Sequence, residues 1–101
     1  MEPLSQDEIN AKLATKSDFR VTPEAMAKRV VSTDYHRLHG TVTVCEIILD
    51  NGFSVRGESS CIDPANFDEE LGRSIAYRNA FDKLWPLFGF MMLEDKFRTA
   101  A

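Results

Sequence analysis

Two runs of β-forming residues, TVTVCEIIL and FSVRGESS, flank the tripeptide Asp50-Asn51-Gly52. A turn of this composition between two such runs marks a β-hairpin, because Asn and Gly accept the backbone conformations that a tight reversal requires. The length of the loop sets the register. A two-residue loop, Asn51-Gly52, places Ile47 opposite Arg56 and Cys45 opposite Glu58. A three-residue loop with Gly52 in the left-handed region places Leu49 opposite Phe53, Ile47 opposite Val55 and Glu46 opposite Arg56. The second register matches apolar with apolar and acid with base, and is the one expected. Cys45 and Cys61 are not opposite in either, so no disulfide within the hairpin is expected. The first strand also carries Val42, Val44 and Ile48 on the face away from Phe53 and Val55. Both of its faces ask for cover, from the N-terminal helices or from a second copy of the chain.

Helix signals surround this hairpin. Ser5 and Glu8 form a capping-box pattern that opens a short helix over Gln6 to Lys12, whose apolar face is only Ile9 and Leu13. Residues 1–20 are read as a mobile arm carrying that helix, and 21–101 as a single α+β domain. Thr22-Pro23-Glu24 starts a second helix, expected to run to about Val31 with Met26 and Val30 inward. DYHRLHG, Asp34 to Gly40, is read as a connector.

The last helix opens at Asp63-Pro64 or at Asn66 with Glu69, and acidic residues 68–70 suit the positive end of its dipole. At about 100° per residue, Phe67, Leu71, Ile75, Tyr77, Phe81, Leu84, Trp85 and Phe88 share one arc. Asp68, Gly72, Asn79 and Lys83 form its polar back. Glu70, Ser74 and Arg78 interrupt the apolar arc at i, i+4 spacing. A charge on a buried stripe needs a partner. Arg78 either pairs locally with Asp82 or Ser74, or faces an anionic ligand or a subunit together with Arg73. Pro86 is expected to end or kink the helix near Leu84. The tail FGFMMLEDKF adds further aromatic and Met surface. This is more than one hairpin and two short helices can cover, so a homo-oligomer is expected. Val42, Val44, Ile48, Trp85, Phe88, Phe90 and Met91 are its expected contact residues.

A chain of 101 residues, 44% hydrophobic, fits one small domain. Its net charge of −4 argues against the basic footprint that nucleic acid demands. No apolar run reaches membrane-span length, and the acidic N-terminus lacks a signal peptide's pattern, so action in the cytoplasm is expected. There is no P-loop, no G-x-G-x-x-G and no G-x-S-x-G. His36 and His39 lack an evident third metal ligand. Cys61, just before a helix start, would need one of those histidines as a base. A non-enzymatic protein with no cofactor and no metal is therefore expected. Tyr35, His36 and Arg37 form a cluster suited to a phosphate or a stacked base. With Arg56, Arg73, Ser74 and Arg78 they make up the candidate ligand or partner residues.

The stretch from Tyr35 to Leu87, YHRLHGTVTVCEIILDNGFSVRGESSCIDPANFDEELGRSIAYRNAFDKLWPL, resembles a family of small tailed-phage proteins named from an N-four-type coliphage and a Shigella podophage. NGF to DPANFDEELG is its most specific part. The family continues after WPL with Glu-Gly-Tyr; Phe88 stands here in place of that acid. The resemblance implies a phage origin and action in the host bacterial cytoplasm, and no established activity. The expected function is a phage-encoded binding protein acting on the host, inhibiting a host or defence factor or sequestering a nucleotide immune signal. The alternatives are a small nucleic-acid-binding accessory protein and, ranked last, a thiol- or metal-dependent enzyme. The expected fold is α+β: N-terminal helices, a two-stranded antiparallel hairpin extended across subunits if the chain oligomerises, and a long C-terminal helix packed on it.

Overall fold

A computed structural model describes residues 2–100. The order is α1 (Gln6–Leu13), α2 (Pro23–Ala27), β1 (Val30–Arg37), β2 (Thr43–Leu49), β3 (Ser54–Ser59), a 3-10 turn at Pro64–Asn66, α3 (Glu69–Asp82) and α4 (Leu84–Thr99). The three strands form one antiparallel sheet in the order β1-β2-β3.

The hairpin adopts the three-residue register. Ile47 pairs with Val55 and Glu46 with Arg56. The Leu49 amide donates to the Phe53 carbonyl (2.8 Å), and Gly52 takes a φ of 90°. Cys45 lies opposite Gly57, and both cysteines are free thiols.

The sheet has three strands where two were expected. α2 stops at Ala27, and Val30 to Arg37 pair along β2, so the connector read at Asp34–Gly40 begins inside a strand. Val30, Val31, Thr33 and Tyr35 are strand formers, and pairing with β2 satisfies their backbone groups, which a two-turn helix extension would leave frayed. The strand that completes the sheet comes from the same chain, not from a second copy. Arg29 fixes the entry to β1. Its Nε donates to both carboxylate oxygens of Asp50 (2.8 and 3.0 Å), and the Asp50 amide donates to the Arg29 carbonyl (2.9 Å).

Asp68, not Asn66, caps α3: its carboxylate accepts from the Leu71 amide, while Asp63 caps the preceding 3-10 turn. α3 packs over β3 and β2. Only part of the expected arc is buried. α3 itself buries Ala76 and Ala80, with Gly72 next in the same i, i+4 row, whereas Leu71 and Ile75 are 56% and 42% exposed; of the arc, Leu84 and Phe88 are buried, both in α4. Small residues win because the helix sits very close to the sheet. A Cβ on Gly57 would fall 2.1 Å from the Ala80 backbone nitrogen and 2.6 Å from the Ala76 carbonyl oxygen. At that distance bulky side chains are displaced to the flanks. Ser59 Oγ donates to the Gly72 carbonyl (2.7 Å), and Asn79 Nδ2 to the Glu58 carbonyl (2.9 Å), locking helix to strand.

The core joins Met26, Cys45, Ile47, Leu49, Val55, Ala76, Ala80, Leu84 and Phe88. α3 ends at Asp82 and α4 restarts one residue later, with Pro86 in its first turn, where a missing amide costs no hydrogen bond. The FGFMMLEDKF tail is therefore the body of a 16-residue helix. The radius of gyration is 16.9 Å, against about 13 Å for a compact chain of this length. α1 buries no residue.

Gly57→Ala is expected to destabilise the fold by about 3 kcal/mol, the upper end for overpacking against backbone. In a domain of this size that lowers the melting temperature by roughly 12–24 °C. Gly72→Ala, whose Cβ meets the Thr43 Oγ1 at 3.2 Å, is expected to be near neutral, since helix propensity offsets the contact. Differential scanning calorimetry of the two variants checks this.

Candidate binding groove

In an antiparallel sheet alternate residues share a face. On β1, Thr33, Tyr35 and Arg37 share the inner face with their β2 partners Ile47, Cys45 and Thr43. α3 lies over β2 and β3, so the inner face of β1 is left as the floor of a groove with α3 as its wall. Two adjoining hollows of about 470 and 450 Å³ make up the groove and share Tyr35 and Ser74.

The two ends differ in chemistry. The end near the start of α3 is lined by Asp68, Glu69, Glu70 and Arg73. Arg73 pairs with Glu69 (2.9 Å) and lies 5.4 Å from the centre of the Tyr35 ring. The other end is lined by Tyr77, Arg78, Phe81 and Asp82. There Tyr77 and Phe81 stack with ring centres 5.7 Å apart. Arg78 is exposed and forms no ion pair among the described residues. It is not on a buried stripe, because the row that α3 buries is the glycine-alanine one. Ser74 returns its hydroxyl hydrogen to the Glu70 carbonyl (2.9 Å). Arg37 lines neither hollow; its guanidinium lies 4.2 Å from the centre of the Phe67 ring and its Nε donates to the Gly40 carbonyl.

Of the seven candidate ligand residues, Tyr35, Arg73, Ser74 and Arg78 meet in this groove, while Arg37 is held against Phe67 outside it. His36 and Arg56 do not: they pair with Val44 and Glu46 on the outer face of the sheet, where Arg56 reaches Glu46 at 3.4 Å. Tyr77 and Phe81, expected in the core arc, are half-buried: they pack against the core and also wall the groove. Ser74 and Tyr77, and Arg78 and Phe81, are three residues apart, and Ser74–Arg78 and Tyr77–Phe81 four, the helical spacing that groups them.

Among the described residues, no three His, Cys, Asp or Glu side chains gather as a metal site requires. Cys61 lies just beyond β3, and its thiol donates to the Asp63 carbonyl (3.0 Å). Burial, foremost, and the neighbouring Cys45 raise the pKa of the Tyr35 phenol. Burial likewise raises that of the Cys45 thiol. Among the described residues, no helix is long and apolar enough to cross a membrane.

The family described as Phage protein (N4 Gp49/phage Sf6 gene 66) matches residues 21–96. The chain belongs to this family. The match spans the sheet, α3 and most of α4, and so includes every residue of the groove. No curated protein and no solved structure matches the chain.

The raised pKa values have a defined sign. Unfolded, the Cys45 thiol titrates near its ordinary value of 9.0 and the Tyr35 phenol near 10.0; folded, both hold their protons to higher pH. Stability is therefore full below pH 9.0 and falls as pH rises through the folded values. The urea midpoint is expected to be level from pH 7 to 9 and to drop above that, less steeply in Tyr35→Phe. Ellman's reagent is expected to modify Cys61 in the native protein, and Cys45 only when the chain unfolds.

Proposed function

We propose that this phage-family protein acts by binding rather than by catalysis, and that its ligand is a small anionic nucleotide of the kind bacterial defence systems use as a signal. The observation that carries the reading is the lower half of the groove, where Arg78, which forms no ion pair among the described residues, stands among Tyr35, Tyr77 and Phe81, with Asp82 at the same end. Aromatic faces take a base by stacking, and a guanidinium takes a phosphate through paired hydrogen bonds. A hollow of about 450 Å³ lies within the usual size range for small-molecule sites. The acidic upper end, with Asp68, Glu69 and Glu70, repels a continuous polyanion, which disfavours the nucleic-acid alternative. Sequestering such a signal is how the protein would act on its host.

One observation favours a second reading, a protein target. The inner face of β1 is bare along α3, a place that a segment of another protein would fill.

Thermal shift with cyclic dinucleotides and ADP-ribose separates the two readings. A ligand at one hundred times its Kd adds about 2.7 kcal/mol, which raises the melting temperature by roughly 11–22 °C. The shift is expected to vanish in Arg78→Glu and Tyr77→Ala and to persist in Arg56→Glu on the opposite face. If no nucleotide shifts the wild-type protein, the nucleotide reading falls and the protein target stands. A shift unaffected by Arg78→Glu places the site elsewhere.

A further inference from the structure

α4 is apolar on two opposite sides. Leu84 and Phe88 are buried against the domain. On the other side Phe90, Leu93 and Phe97 are 66%, 61% and 74% exposed, in line with Pro86. A second apolar row opposite the one that a helix buries in its own domain calls for cover of its own. The exposed row, 86, 90, 93 and 97, is spaced 4-3-4, which is the a/d spacing of a helix-pairing seam.

We propose that this row is a dimer seam, along which α4 of one protomer packs antiparallel against α4 of a second copy. The spacing points to that occupant because 4-3-4 reads the same in both directions. In the antiparallel register Phe90 meets the partner subunit's Leu93, and Pro86 meets the partner subunit's Phe97. The two-fold axis then passes between Met91 and Met92, which is also the midpoint of Leu84–Thr99, so the helices overlap along their whole length. Glu94 faces the partner subunit's Leu87, and Lys96 faces the partner subunit's Gly89, so no like charges meet. A Cβ at Gly89 would touch nothing within the protomer, which leaves room there for the incoming lysine stem. A parallel pairing would bring both sheets to the same end of the seam; the antiparallel one sends them to opposite ends.

The three exposed side chains offer about 400 Å² per copy on typical side-chain areas. A standard interface needs about 800 Å² per partner. Residues beside the row, Leu87, Gly89, Glu94 and Lys96, make up part of the difference, and an interface of this size is expected to form a weak, concentration-dependent dimer. The seam lies apart from the groove and does not depend on any ligand there.

The test is sedimentation velocity of the full chain from 1 to 300 μM, with spin labels at Thr99→Cys in a Cys61→Ser background. A concentration-dependent rise from 11.4 kDa to twice that mass is expected, and Leu93→Glu, which alters an exposed position, is expected to remain monomeric with an unchanged circular dichroism spectrum. The antiparallel seam sets the two labels 15 residues apart, about 22 Å along the axis at 1.5 Å per residue. A monomer throughout the range, a dimer that survives Leu93→Glu, or labels in near contact as a parallel pair requires, each overturns the proposal.

Discussion

The close seating of α3 on the hairpin is the constraint from which the rest of the structure follows. It is possible only because Gly57 has no side chain beneath the backbone of Ala76 and Ala80. A helix that approaches this closely presents its smallest row, Gly72-Ala76-Ala80, to the sheet. Its larger residues are then turned to either flank. Leu71 and Ile75 go to the β3 side, and Tyr77 and Phe81 to the β1 side. The same geometry uses up the width of the helix on two strands and leaves the third one bare. Groove, exposed arginine and aromatic wall are therefore products of a single contact.

The hairpin was fully legible in the sequence, down to its register, because side-chain matching and a turn residue with positive φ agreed. The N-terminal caps at Ser5 and Thr22 were legible for the same local reason, whereas Asp63, read as an opening of the last helix, caps the 3-10 turn, and Asp68 caps α3. β1 was not legible. A strand is recognised by alternation between a buried and an exposed face, and β1 has no well-buried face: Thr33, Tyr35 and Arg37 share an incompletely covered inner face, of which Tyr35 lines the groove, while Ser32, Asp34 and His36 look outward. The feature that makes it a candidate binding surface also removed its sequence signal. The arc on α3 misled in a complementary way. A helical projection ranks residues by hydrophobicity, whereas the sheet selected for size, a property that depends on a glycine fifteen residues upstream of Gly72.

The candidate site was legible as chemistry more than as position. Ser74 and Arg78 stood out as polar intrusions at helical spacing in an apolar arc, and Tyr35 and Arg37 as part of a polar-aromatic cluster. What the sequence lacked was the third strand that joins them. With β1 taken as a loop, Tyr35 and His36 were equivalent; with β1 as a strand, they fall on opposite faces and only Tyr35 reaches α3. Arg56 lies on the far side with its cross-strand partner Glu46, a placement that the hairpin register alone implied.

The irregularity between Val30 and Ser32, where the β1–β2 register shifts, has an implication for how this molecule avoids polymerising. An open sheet margin invites copy after copy to add on, strand to strand, without limit. Here the bulge distorts the start of that margin, and Asp34 and His36 put charge and polarity along its outer side. Strand-to-strand addition at the β1 margin is thereby discouraged, which leaves β3 as the margin of the sheet with a regular ladder.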